Sequence, residues 1–273
     1  MTRCSLDAQG EPLAGTAPHT RGWLVVEHPG PYPRIASETL GALGDRLRAM
    51  CQQHGLTLVL ARRPRERGRR AWLAVDGAVA EWPEIDPEDL LALPLDSIGP
   101  LATGTSRTLF ICTNGKRDAC CAEFGRPVTR ELLAEGLPVW ECSHLGGHRF
   151  APTGLLLPDG AVHGRLTVEA ARALLLPDRP VHDSIGSLRG MSHLRADHQV
   201  ADIAVRRDHG IPTTTRLTVE SAGDDLSRDC TVRHPDGRTW QVHLVKASGK
   251  ARAESCGKEP VPSQWWGVAA PTA

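Results

Sequence analysis

The sequence predicts an α/β fold with a duplicated core and a small C-terminal α+β appendage. Three observations carry that expectation. Short apolar runs alternate with helical patterns, one order of elements occurs twice, and the pattern changes beyond Leu166. Trp23 to Glu27 is an apolar run that suits a buried strand and ends at the turn His-Pro-Gly-Pro-Tyr-Pro. Leu40, Leu43, Leu47 and Cys51 recur at helical spacing from Ser37 to Gln53, and Gly55 stops that helix. Cys51 on this stripe reads as core. Leu56 to Ala61 is the next strand, followed by an arginine-rich loop at 62–70 read as solvated. Two short strands joined by Asp76-Gly77 come next, a strong hairpin signal.

The second segment repeats the order. Arg107 to Cys112 is a strand, Pro127 to Glu135 a helix with proline in its first turn, and Leu137 to Cys142 a strand. Thr153 to Leu166 is a hairpin turning at Asp159-Gly160. Each half thus reads β-α-β then β-β, the order of a thioredoxin-like unit. The repeat is about 85 residues, which sets Glu27 opposite Cys112, Gly30 opposite Gly115 and Arg63 near His144. The predicted organisation is a ligand-free N-terminal half (1–103), a second half (104–175) and a C-terminal region (176–273). Thr167 to Leu175, at the end of the second half, is a short helix stopped by Pro-Asp-Arg-Pro; in the last region Met191 to His209 is a helix, and three antiparallel strands precede a flexible tail from Ser248.

Lys plus Arg and Asp plus Glu number 32 each in 273 residues, so the chain has no built-in attraction to nucleic acid or anionic lipid. No apolar stretch reaches the ~18–20 residues of a membrane helix, and the N-terminus lacks an export signal. A cytoplasmic location is expected. In a reducing compartment clustered cysteines point to metal or redox chemistry, whereas scattered ones are usually buried small hydrophobes. Cys4, Cys51, Cys230 and Cys256 are isolated in sequence. Cys112, Cys120, Cys121 and Cys142 fall in one stretch that leads to His144 and His148.

Cys112-Thr-Asn-Gly-Lys-Arg-Asp-Ala-Cys120-Cys121 and Cys142-Ser-His144-Leu-Gly-Gly-His148 both follow predicted strands. Parallel pairing of those strands would bring the two loops to one end of the sheet. Gly146 and Gly147 permit positive φ, which would let the loop wrap a bulky inorganic centre. Two thiolates and two imidazoles could hold one Zn²⁺ or a [2Fe–2S] cluster, and spacing does not choose. A thiol oxidoreductase using Cys120, Cys121 or Cys112 is a third reading, weakened because no Cys-x-x-Cys follows a strand. Cys142 reads as a strand residue sharing a face with Trp140, and Asp118 as a helix cap. Lys116, Arg117 and Arg149 could dock an acidic redox partner. His163, His182, His193, His198, His209, His234 and His243 have no ligand-like spacing and read as packing or surface residues.

The runs CTNGKRDACCAEFGRPV, WECSHLGGHRF and LLLPDGAVHGRL, with GTAPHTRGWLVVEHPGP upstream, resemble the sucrase/ferredoxin-like family. The resemblance covers roughly Cys4 to Leu166 and implies kinship to thioredoxin-like [2Fe–2S] ferredoxins. It further implies ligation by Cys112 and Cys121 on one iron and His144 and His148 on the other, with Cys120 the alternative to Cys121. The implied role is electron transfer or redox sensing with a partner protein and no substrate chemistry. No carboxylate pair suited to glycoside hydrolysis supports the "sucrase" half of the family name.

Overall fold

A computed structural model describes residues 3–95, 98, 106–176 and 185–269. The expected boundary at 103–104, the turn at 177–180 and His182 lie outside them. A short helix α1 (Cys4–Asp7) opens the described chain. Then come β1 (Gly22–Glu27), α2 (Gly41–Gln53) after a 3₁₀ turn at Ala36–Leu40, β2 (Leu56–Arg62), β3 (Ala71–Val75) and β4 (Ala78–Trp82). The order recurs with β5 (Thr108–Cys112), α3 (Ala119–Ala134), β6 (Val139–Cys142), β7 (Gly154–Leu157) and β8 (Ala161–His163). Asp76 and Gly77 take φ of 52° and 85° at the β3–β4 turn, the left-handed pair that matches the twist of a two-residue hairpin.

All nine strands through β9 (Leu188–Met191) form one sheet ordered β4-β3-β1-β2-β6-β5-β7-β8-β9. β1 pairs parallel to β2 and antiparallel to β3, and β5 pairs parallel to β6 and antiparallel to β7. The two sets meet where β2 runs antiparallel to β6, with Ala61 opposite Cys142. The same backbone bond closes each set: His28 N–H donates to Ala61 at 2.8 Å and Thr113 N–H to Cys142 at 3.0 Å. Glu27 and Cys112 therefore end equivalent strands, in registers Glu27–Ala61 and Cys112–Cys142. The loops that follow differ, because Gly30 has φ of 75° and precedes a cis proline while Gly115 has no positive φ.

Alternation along the strands splits the core. Trp23, Val25, Val59, Trp72, Phe110 and Trp140 bury on one face. Trp72 meets both Phe110 and Trp140 edge-on, at 5.1 and 5.0 Å between ring centroids, although β3 and β5 stand four places apart. The sheet is therefore strongly curled. Leu47 and Cys51 of α2 cover Leu24, Val26 and Leu60, and burial pushes the Cys51 thiol up to about 12, consistent with an inert core residue. Val128 and Leu132 of α3, with α4 (Val168–Leu175), cover Leu109, Ile111 and Val139.

Three sequence expectations are corrected. First, α3 begins eight residues before Pro127, which lies inside it. Gly125 and Pro127 are poor helix formers, but a side chain at Gly125 would collide with the Cys112 carbonyl, so close packing on β5 overrides propensity. Second, Met191 belongs to a strand, and the following helix α5 starts only at Ala196 (Ala196–His209). Third, the tail is not structureless. Four antiparallel strands form a second sheet: β10 (Thr218–Gly223), β11 (Ser227–Arg233), β12 (Thr239–Ala253) and β13 (Pro260–Val268). β13 was illegible because only Ser263 and Trp266 along it are buried, too few to show alternation. Val200, Ala204 and Val205 of α5 pack under this sheet against Cys230, Val232, Leu244 and Trp266. Among the described residues no helix is long and apolar enough to cross a membrane.

Candidate metal centre

Parallel pairing of β5 and β6 sets Cys112 beside Cys142 at one end of the sheet. The loop after β5 turns on Asn114, whose Oδ1 accepts the N–H groups of Lys116 and Arg117. It delivers Asp118 as N-cap of α3, accepting the Cys120 N–H at 2.9 Å. The cap expected for Asp118 is thus present. Successive helical residues diverge by about 100° around the axis. Cys121 consequently turns inward toward Cys112, while Cys120 turns toward Cys4.

Donor atoms of Cys112, Cys121 and His144 all lie within 4.8 Å of one another, close enough to hold a metal ion. Both cysteines are fully buried. The His148 ring stands 5.1 Å from that of His144, and its Nε2 lies 3.7 Å from Asp118 Oδ2. Nδ1 of His144 and Nδ1 of His148 are buried without a hydrogen-bond partner among the described residues. An orphaned buried acceptor costs about 1–3 kcal/mol, so both atoms want an occupant. Hydrogen bonds from Cys121 and from His144 hold Cys112 well below the ordinary thiol range, against the effect of burial. Cys121 moves up, because it donates to Cys112 and is buried. Burial pushes the His148 imidazole down, so the ring is neutral and able to donate a lone pair.

Gly146 and Gly147 take φ of 80° and 66°. The space beside Gly147 is filled by the guanidinium of Arg189, so an added Cβ would collide with it. Arg189 is 1% exposed and donates to Thr16 and to the Gly146 carbonyl. Among the described residues no carboxylate lies in ion-pair range of it, and its charge is felt by Cys112 and Cys121. Burial pulls the Arg189 guanidinium down to about 9, and the two thiols oppose that shift. The sequence reading missed Arg189, which comes from the unanticipated strand β9.

A second group lies on the far side of the first turn of α3. Cys4, Asp118, Cys120 and Cys256 bring their donor atoms within 4.8 Å of one another. Cys120 therefore sits apart from the Cys112 group, and the cysteines read as isolated at positions 4 and 256 are not. Cys142 is fully buried beside Trp140 in the core, where burial raises its thiol well above the ordinary range. Arg149 is bound to Glu11 and Glu254, each at 3.1 Å. Arg117 lines two clefts, one bordered by His148 and the other by His144, with Arg34 on both rims. The 62–70 run is less solvated than expected: Arg62 pairs with Glu141 at 2.8 Å and Arg63 lies over the Trp140 ring.

Of the remaining histidines, His163 is fully buried against Ser187, His209 and His234 flank Trp240, and His243 pairs with Asp229. Neither a curated protein nor a solved structure matches the chain significantly. The sucrase/ferredoxin-like family model matches residues 13–180, a span that includes β1 to α4 and the Cys112, Cys121, His144 and His148 positions. The chain belongs to the sucrase/ferredoxin-like family.

Proposed function

We propose that this protein is a one-electron carrier or redox sensor holding a [2Fe–2S] cluster through Cys112, Cys121, His144 and His148. The observation that carries the reading is the group of buried Cys112 and Cys121 with half-buried His144, beside which both histidines keep an Nδ1 without a partner among the described residues. Two buried sulfurs and two imidazole nitrogens suit the donor set of a mixed Cys/His cluster. The repeated strand orders β4-β3-β1-β2 and β8-β7-β5-β6 support two thioredoxin-like halves, 1–103 and 104–175, followed by the 176–273 region. A bound cluster supplies a centre that accepts and returns a single electron.

The chain's own residues set the conditions for that chemistry. Burial of Cys112 and Cys121 keeps water from the sulfurs, and Arg189 offers a fixed positive charge that favours a more negative occupant. His144 and His148 bring no charge of their own, in contrast to the thiolates of an all-cysteine site. Because they border the clefts rimmed by Arg34 and Arg117, an acidic redox partner docking there would approach the imidazole side of the centre. A cytoplasmic setting, where thiols stay reduced, suits eight cysteines that are all free. A second reading is a zinc-stabilised module on the same ligands, since the three-donor group is also small enough for one ion.

Redox titration tests the proposal. The midpoint should fall in the Rieske range of roughly −150 to +300 mV, well above an all-cysteine ferredoxin. It should decline as pH rises, because loss of the second imidazole proton favours the oxidised form. A potential flat between about pH 6 and 10 would argue against histidine ligation.

A further inference from the structure

We propose that Cys4, Asp118, Cys120 and Cys256 form a second metal site, a tetrahedral zinc-class centre whose ligands are separate from those of the Cys112 group, although Asp118 Oδ2 also stands 3.7 Å from His148 Nε2. The sulfurs lie 3.7 Å apart for Cys4 and Cys120, 3.3 Å for Cys120 and Cys256, and 3.6 Å for Cys256 and Cys4. Oxygens of Asp118 complete the figure at 3.8 Å from Cys4 Sγ. With a Zn–S bond of about 2.3 Å, tetrahedral geometry puts ligand sulfurs about 3.8 Å apart, close to this triangle. A disulfide needs about 2.05 Å and would use only two of the three sulfurs.

The donors come from separate parts of the chain. Cys4 sits on α1, Asp118 and Cys120 at the start of α3, and Cys256 in the loop between β12 and β13. Cys4, Asp118 and Cys120 are buried and Cys256 is half-buried, so an ion would be nearly enclosed with an entry at the Cys256 loop. The carboxylate is held for the task. Asp118 Oδ2 accepts from Ser255 Oγ and Cys256 N–H at 2.8 Å each, Oδ1 accepts the Cys120 N–H at 2.9 Å, and the Cys4 thiol, whose proton a bound ion would displace, reaches both oxygens at 3.8 Å. Three cysteines and a carboxylate, filling all four tetrahedral positions with protein donors, describe a structural, closed site rather than a catalytic one.

The ion would pin the N-terminal helix and the β12–β13 loop onto the turn that carries Cys121. Binding releases the thiol protons to solvent, so affinity should rise with pH.

The test is metal analysis of protein purified with zinc. A Cys112→Ser/Cys121→Ser double variant removes the first site and should still hold about one zinc per chain. Cys4→Ser and Cys256→Ser, each added to that double variant, should lower its zinc at least tenfold. Should either variant fail to fold, titrating Co²⁺ into the double variant decides the matter. Thiolate-to-cobalt charge transfer with intense tetrahedral d–d bands supports the site. Zinc absent from the folded double variant, zinc unaffected by both cysteine substitutions, iron in place of zinc, or a pale octahedral cobalt spectrum would each overturn it.

Discussion

Replacing Cys121 with serine should abolish cluster binding, whereas replacing its neighbour Cys120 should leave the cluster in place. The two thiols are adjacent in sequence and both fully buried, so neither exposure nor spacing separates them. The start of α3 does. Capping by Asp118 fixes the phase of the first turn, so Cys121 joins Cys112 in the aromatic core cluster and Cys120 joins Cys4. A serine at 121 keeps the volume but removes a thiolate, and with it one of two anionic ligands. Iron in the purified protein should fall at least tenfold for Cys121→Ser and stay within about twofold of the parent for Cys120→Ser. The reverse pattern, measured as iron and sulfide per chain, would show that the helix phase is misread and that Cys120 is the ligand.

Acid should weaken the fold through His163. The imidazole is fully buried, its Nδ1 lies 3.0 Å from Ser187 Oγ, and its Nε2 has no partner among the described residues. Burial, aided by the charges of Arg107 and Arg189, holds it down at about 3. The ring is thus neutral in the folded protein at pH values where the unfolded chain, near 6.5, already binds a proton. Unfolding therefore takes up a proton below about pH 6.5, and stability present above that value is lost progressively toward about pH 3. By about pH 4.5 the loss from this one residue is on the order of 3 kcal/mol. His193, depressed to about 4 by burial, acts in the same direction. His163→Asn, which cannot charge, should be less stable at neutral pH yet show a shallower decline between about pH 6.5 and 4.5. Denaturant unfolding at several pH values measures this, and identical slopes for both proteins would refute it.

The readable parts of the fold were those with a local signal. The β3–β4 hairpin is announced by Asp76-Gly77, the strand β5 by an unbroken apolar run, and the loop conformation at 146–147 by two glycines. The repeated strand order followed from those elements once they were laid side by side. What stayed hidden depends on contacts distant in sequence. The early start of α3 needs the packing of Gly125 on the Cys112 carbonyl. Strand β9 is four residues with an arginine and a glycine, and it exists because β8 offers an edge. Arg189 on that strand looks like any other arginine until its guanidinium is found behind Gly147. Cys4 and Cys256 stand 252 positions apart, so no spacing rule could join them. The reading of Cys112, Cys121, His144 and His148 had motif spacing and family resemblance behind it. The partition of Cys120 and Cys121 between two groups required the helix.

The central claim is most directly tested by the visible spectrum of anaerobically purified protein, taken with iron and acid-labile sulfide analysis. The account predicts absorption between roughly 400 and 600 nm that bleaches on reduction with dithionite, with about two irons and two sulfides per chain. A folded, colourless protein that takes up neither iron nor sulfide on anaerobic reconstitution, and holds zinc at Cys112, Cys121, His144 and His148 instead, would contradict it.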